Sequence, residues 1–229
     1  MILINEIYRA HQGEGTRIGV PSVFIRTHLC PVECSWCDTA FTWDGSESGK
    51  SVTVDSLVNS ISTDFPLITN LVWTGGEPLV QKPLPYAVRA LSKLGYQHEI
   101  ETSAAFMPKA ADEWMSLNAL YNLSPKMPSA EPKMYSDPMV LAKFFKYTDS
   151  VFKIVVRDLV DLNFAIDMLD KVGSFCGGVD PKRVYLMPCG TSRDEVGDGL
   201  SWLMPKAMDL GFRITTRMQV TAFNDQRGT

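Results

Sequence analysis

Val151-Phe-Lys-Ile-Val-Val156, followed after Arg157-Asp158 by a helical pattern, decides the fold. Five of these six residues are apolar and mostly β-branched, as a buried strand requires. Beyond them, Leu159, Leu162, Ala165, Ile166 and Leu169 keep the i, i+3, i+4, i+7 spacing of a core-facing stripe, which predicts a helix over Val160–Lys171. Working outward, the same pairing recurs. Strands are predicted at Ser22–Thr27, Leu71–Thr74, His98–Glu101, Ala119–Leu123 and Arg183–Met187, with a short last one at Arg213–Thr216. Helices are predicted at Val54–Ser62, Leu84–Leu94, Ala110–Ser116, Met139–Lys146 and Gly199–Leu210. Alternating strand and helix means βα units and a mostly parallel sheet. A complete eight-stranded barrel takes about 250 residues. The 229 residues here suit an α/β fold with a shortened, partial (β/α)6-type barrel, in one domain spanning residues 1–229.

Composition narrows the function. A net charge of −4, from 22 basic and 26 acidic side chains, speaks against broad binding to nucleic acid or an anionic membrane surface. No apolar run is long enough to span a bilayer, and Met1–Gly15 has none of the parts of a secretory signal, so a cytoplasmic protein is expected. Of the five cysteines, three crowd together and two lie far off, which is not the layout of a disulfide scaffold.

The crowded segment reads Cys30-Pro-Val-Glu-Cys34-Ser-Trp36-Cys37-Asp38-Thr39, a C-x3-C-x2-C spacing. Thiolates on one tight loop can bind three irons of a cubane. The fourth iron is left open, and S-adenosylmethionine (SAM) can chelate it through its amine and carboxylate. Reductive cleavage of SAM then yields a 5′-deoxyadenosyl radical, chemistry that belongs to the cofactor. Zinc is the competing ligand, with a fourth donor from His11, His28, Cys176 or Cys189. Trp36 before the third cysteine favours the radical SAM pattern.

In parallel α/β folds, ligands sit at the carboxyl ends of the strands. Cys30, Gly75-Gly76, Glu101, Ser124 and Met187–Gly190 all fall at or just after predicted strand ends. Thr74-Gly75-Gly76-Glu77-Pro78 carries two glycines that let backbone approach SAM's amino acid end. Gln12-Gly13-Glu14-Gly15 reads as a polar loop over a polar heterocycle. Arg26, inside a strand, needs an anionic partner; a substrate carboxylate or a structural ion pair would serve.

Together these segments resemble the 7-carboxy-7-deazaguanine synthase family of radical SAM lyases. The matching stretches are Ile4–Ile7, Gln12–Gly15, Gly19–Pro21, Val23–Arg26, Cys30–Thr39, Thr74–Pro78, Glu101–Ser103 and Ser124–Lys126. The resemblance implies ring contraction of 6-carboxy-5,6,7,8-tetrahydropterin to 7-carboxy-7-deazaguanine with loss of ammonia, in deazapurine (queuosine-type) biosynthesis. SAM is regenerated, and Mg²⁺ takes part. By motif, Cys30, Cys34 and Cys37 hold the [4Fe–4S] cluster and Thr39 holds Mg²⁺. Trp36, Cys37, Asp38, Gly75, Gly76, Glu77, Ser103, Ser124, Pro125, Lys126, Met187, Pro188, Cys189 and Gly190 contact SAM. His11, Gln12, Gly13, Glu14, Arg26, Thr74, Glu101 and Gln219 contact the pterin. A homodimer and a flavodoxin- or ferredoxin-type electron donor are further implications. Departures from the family pattern are Leu29 and Ala104 where glycine is usual, Met187-Pro188 for Gln-Pro, and Gln219 near the place of a histidine. Two other readings use the same triad: a glycyl-radical activase, and a non-catalytic zinc or iron–sulfur protein.

Overall fold

Each predicted βα unit exists, and the units share one sheet. The computed structural model describes residues 1–229. The strands are β1 (Ile2–His11), β2 (Pro21–Thr27), β3 (Lys50–Val52), β4 (Asn70–Gly75), β5 (Gln97–Thr102), β6 (Leu120–Leu123), β7 (Asp149–Val156), β8 (Val184–Pro188) and β9 (Arg213–Ile214). The helices are α1 (Val54–Asp64), α2 (Leu84–Lys93), α3 (Ala111–Met115), α4 (Pro138–Tyr147), α5 (Leu159–Cys176), α6 (Arg193–Asp209) and α7 (Met218–Phe223). Spatial strand order is β3-β1-β2-β4-β5-β6-β7-β8-β9. From β2 through β9 every pairing is parallel. The two ends of the sheet do not pair with each other, so this is a partial barrel.

The sequence reading missed β1, β3 and α7. β1 pairs antiparallel with both β2 and β3 and so lies outside the βα alternation that carried the prediction. The last strand is shorter than expected, Arg213–Ile214. α6 starts at Arg193, six residues before the predicted Gly199. Its start is set by a capping box in which Ser192 accepts from the Glu195 backbone and Glu195 returns the bond. Gly197, Gly199 and Pro205 inside this helix hid its pattern. α5 runs on to Cys176 and stops at Gly177, whose φ of 88° is the left-handed C-terminal cap.

Successive side chains on a strand point to opposite faces. On β5 this sends Ile100 outward into the helix-covered core and Glu99 and Glu101 toward the barrel axis. Glu99 is fully buried and accepts from Gln12 Nε2 (3.1 Å), Asn70 Nδ2 (2.9 Å) and Asn122 Nδ2 (3.0 Å), so its charge is well solvated by protein.

On the outer face, His98 is fully buried and accepts from Trp73 Nε1 at 3.0 Å. Burial, aided by the charge of Arg17, lowers its pKa to about 4. Unfolded, the imidazole takes a proton near pH ~6.5; folded, it declines one until about pH 4. Acid in that window therefore favours the unfolded chain. Denaturant titration should show wild-type stability falling between those limits. His98→Gln, which keeps an acceptor but does not titrate, should fall less steeply, by up to roughly 1.4 kcal/mol per pH unit. Parallel slopes would remove His98 from the account.

Candidate active site

Because the strands from β2 to β9 all run the same way, their carboxyl ends share one rim. A cavity of about 520 Å³ opens there. Of the residues picked from sequence, all but Pro125 and Pro188 line it. Those two prolines are buried behind the wall; a side chain on Gly199 of α6 would come within 2.6 Å of the Pro188 ring. His11 sits exposed at the edge. Of the possible fourth zinc donors, His11 and Cys189 line the cavity. His28 does not, and bonds Asn5 instead (2.9 Å); Cys176 lies at the far end of α5.

The cysteine loop follows β2 and is pinned to its surroundings by backbone. Ser35 N and Trp36 Nε1 donate to the carbonyls of Ala130 (2.8 Å) and Ser129 (2.6 Å). Ser129 is itself held by the buried Asp161 at the start of α5, through N (2.9 Å) and Oγ (2.6 Å). Val32, Cys34, Ala105 and Ala130 form a small apolar cluster of their own, with Cys30, Trp36 and Cys37 packed against it. All three thiols thus face one cavity from an apolar bed, which suits a cluster. No three His, Cys, Asp or Glu side chains converge as the ligands of a single ion would. Burial and the nearby Glu77 push the Cys30 thiol up to about 11. Binding iron must displace that proton.

The Gly75-Gly76-Glu77 segment has a tighter partner than the sequence reading supposed. Gly75 has φ 112°, and a Cβ there would meet Thr27 N at 2.3 Å. A Cβ on Gly76 would meet Leu29 O at 2.1 Å. Gly76 N donates to Thr27 O (2.9 Å) and Glu77 N to Leu29 O (2.8 Å). The glycines therefore let β4 dock on the chain leading into Cys30, besides lining the cavity. Glu77 is buried and fully used: it accepts from Leu79 N, Thr102 Oγ1, Ser103 N and Ser103 Oγ, at 2.6–3.1 Å. Its carboxylate fastens β4 to the end of β5. Leu29 (φ 77°) and Ala104 (φ 48°) both adopt the left-handed region. These are the two positions read from sequence as departures from the family pattern, and a side chain in that region carries a strain of about 1–2 kcal/mol.

The cavity floor is polar. Arg26 finds its anion within the chain: Nε donates to Glu6 (2.6 Å) and Nη2 to Tyr8 Oη (2.8 Å), while Nη1 has no protein partner. Glu14 meets Lys153 (2.6 Å), Arg217 (3.3 Å) and Gln219 Nε2 (2.8 Å). Burial alone would raise its pKa; Lys153 and Arg217 outweigh that and hold it at about 2. Arg217 also reaches Asp38 beside the cysteine loop (2.5 Å). Gln219 Oε1 is buried without a partner. Lys153 and Arg217 were missed in the sequence. Lys153 was readable in principle, being a lone charge in an apolar strand, as Arg26 is.

Residues 24–170 match the model of the radical SAM superfamily, and the chain belongs to that superfamily. Membership implies a [4Fe–4S] cluster and SAM, and three thiols on one cavity fit that pair. A 7-carboxy-7-deazaguanine synthase of Pyrobaculum aerophilum is 32% identical, over 99% of this chain and 97% of its own. That of Rhodopirellula baltica is 30% identical over 100% and 89%. The crystal structure of QueE from Escherichia coli superposes with a TM-score of 0.73 at 25% identity, covering 95% of this chain and 94% of that one. Within the superfamily, the chain belongs to the 7-carboxy-7-deazaguanine synthase family. SuiB of Streptococcus suis shares the fold alone: TM-score 0.62 at 10% identity, over 84% of this chain and 47% of SuiB.

No Cβ can fit at Gly76 without moving the backbone of Leu29, one residue before Cys30. Gly76→Ala should therefore lower reconstituted iron several-fold, read by iron assay and visible absorbance. Gly197→Ala, where a Cβ meets nothing, should leave it unchanged.

Proposed function

We propose that this chain converts 6-carboxy-5,6,7,8-tetrahydropterin to 7-carboxy-7-deazaguanine with release of ammonia. The observation that carries the reading is that one cavity joins the cysteine loop to a floor of buried carboxylates and cations. An apolar or purely acidic floor would not suit a heterocycle bearing N–H donors, carbonyl acceptors and a carboxylate.

When bound, the cluster and SAM supply abstraction of a hydrogen atom. The chain's part is to bind, orient and exclude water. Cys30, Cys34 and Cys37 hold three irons. Trp36, Asp38, Gly75, Gly76, Ser103, Ser124, Lys126, Met187, Cys189 and Gly190 border the space beside them and serve as the SAM side. Arg26 presents its free Nη1 to the substrate carboxylate, with Glu6 and Tyr8 fixing the guanidinium plane. Gln12, Glu14, Thr74, Glu101 and Gln219 face the ring system. Gln219 stands where the family tends to have histidine; its Nε2 is held by Glu14 and its Oε1 is buried against Gly13.

Mg²⁺ belongs to the proposal through Thr39, whose hydroxyl lines the cavity 3.6 Å from Cys37 Sγ. The ion prefers oxygen ligands and commonly keeps several waters, so one protein hydroxyl beside a substrate carboxylate is a sufficient anchor. A flavodoxin- or ferredoxin-type protein as electron donor, a homodimer and a cytoplasmic setting complete the reading. No helix is long and apolar enough to cross a membrane.

Anaerobic turnover of the reconstituted protein with dithionite, SAM, Mg²⁺ and the carboxypterin tests this, with mass detection of product. The deazaguanine is the expected product. Formation of 5′-deoxyadenosine without it would leave the superfamily assignment intact and overturn the substrate. Thr39→Ala should lose most of the stimulation by Mg²⁺ yet keep its full cluster absorbance; loss of cluster iron would count against the magnesium role.

A further inference from the structure

Lys153 stands in the middle of β7 with its side chain turned to the barrel axis. Its side chain is only 7% exposed, and Nζ lies 2.6 Å from Glu14 and 2.7 Å from Glu101, each 14% exposed. The two carboxylates come from different parts of the fold, the loop after β1 and the end of β5. Lys153 is the one cation that touches both. All three line the cavity.

The carboxylates are not saturated. An ionised carboxylate has about four acceptor positions. Glu101 uses two, for Lys153 and for Asn122 Nδ2 at 2.9 Å. Glu14 uses three, for Lys153, Arg217 and Gln219. The acceptors left over suit N–H donors of a ligand. They remain acceptors only while the acids stay ionised, and the two stand on very different ground. Glu14 has Arg217 as a second cation. Glu101 has only Lys153, and it faces the charges of Glu14 and Glu99. Burial, with those two neighbours, already raises the Glu101 carboxyl above its ordinary range.

We propose that Lys153 is a positioning residue: it bridges Glu14 and Glu101 so that Glu101 stays an ionised acceptor for the N–H edge of the bound heterocycle. This rests on the pterin reading above and assigns it a part that none of the motifs carries. Three consequences separate it from a purely structural lysine. Removing the cation should let Glu101 take a proton near neutral pH, so that ligand affinity falls. The loss should be reversed as the pH rises, because the ionised fraction of an acid with a raised pKa grows with pH. A cation of different shape should restore much of the affinity.

The test is equilibrium binding of 6-carboxypterin, a stable fluorescent pterin, to the cluster-loaded protein from pH 5.5 to 7.5, below the range in which the pterin's own lactam N–H ionises. Cluster absorbance confirms intact loading in each variant. The wild type should bind with little pH dependence. Lys153→Met should bind about tenfold or more weakly at the acid end of that range, as expected for a lost charge-assisted hydrogen bond, and should recover toward its alkaline end. Lys153→Arg should lie between the two with a flat profile. Should Lys153→Met fail to fold, Glu101→Gln carries the test in its place. That variant removes the charge while keeping an acceptor and the shape, and it should bind weakly at every pH.

Wild-type affinity in Lys153→Met or Glu101→Gln overturns the proposal. So does a Lys153→Met deficit that the rise in pH does not relieve. If the wild type itself does not bind the pterin, the substrate reading fails and this inference goes with it. If the wild type binds and only the Lys153→Met result disagrees, the substrate reading stands and this inference alone falls.

Discussion

The site depends on one close approach of backbone to backbone. β4 leaves the sheet with Gly75 and Gly76 pressed against Thr27 and Leu29, at distances that no side chain would allow. From that contact the rest is fixed in turn. Glu77 is delivered into a buried pocket of four donors, which ties the end of β5 to the end of β4. The start of the cysteine loop is held from behind, and Ser129 with Asp161 holds it from the front. A loop that keeps three thiols on one cavity cannot rely on its own short apolar patch. It borrows rigidity from three strands and a helix.

The second constraint is electrostatic. Glu99, Glu101 and Glu14 all enter the barrel, and Lys153, Arg17 and Arg217 enter with them. A buried ion pair gains little stability over apolar packing, because desolvation offsets most of the attraction. Such a network is therefore poor value as scaffolding. Its worth lies in fixed, oriented acceptors and donors next to a ligand, where no solvent has to reorganise.

Much of this was legible from sequence where the governing pattern was local and periodic. The βα units followed from strand and helix periods. The rim followed from the rule that parallel strands share an end, and it gathered Cys30, Gly75-Gly76, Ser124, Met187, Cys189 and Gly190, though not Pro188, onto one cavity. What failed was long-range pairing. Arg26 was recognised as a charge in need of an anion, but its partner Glu6 lies on β1, a strand outside the alternation. Lys153 posed the same question and was passed over, since its flanks read as uninterrupted core. Glycine-free positions also misled. Leu29 and Ala104 read as departures from a pattern, yet the backbone keeps the left-handed turn that glycine would favour.

The contacts around Glu14 have a bearing on how the protein is made. Arg217 and Gln219 lie 203 and 205 residues further along the chain than the carboxylate they meet, and Lys153 lies 139 residues further. A ribosome builds the chain from the N-terminus, so the acid is synthesised long before any of its cations. Until β7 emerges, the Glu14 carboxylate has no cation to meet and must stay in water. The floor of the cavity is thus among the last parts of the molecule to form, while the backbone anchors of the cysteine loop at Ser129 and Ala130, and the Asp161 behind them, can be in place before it.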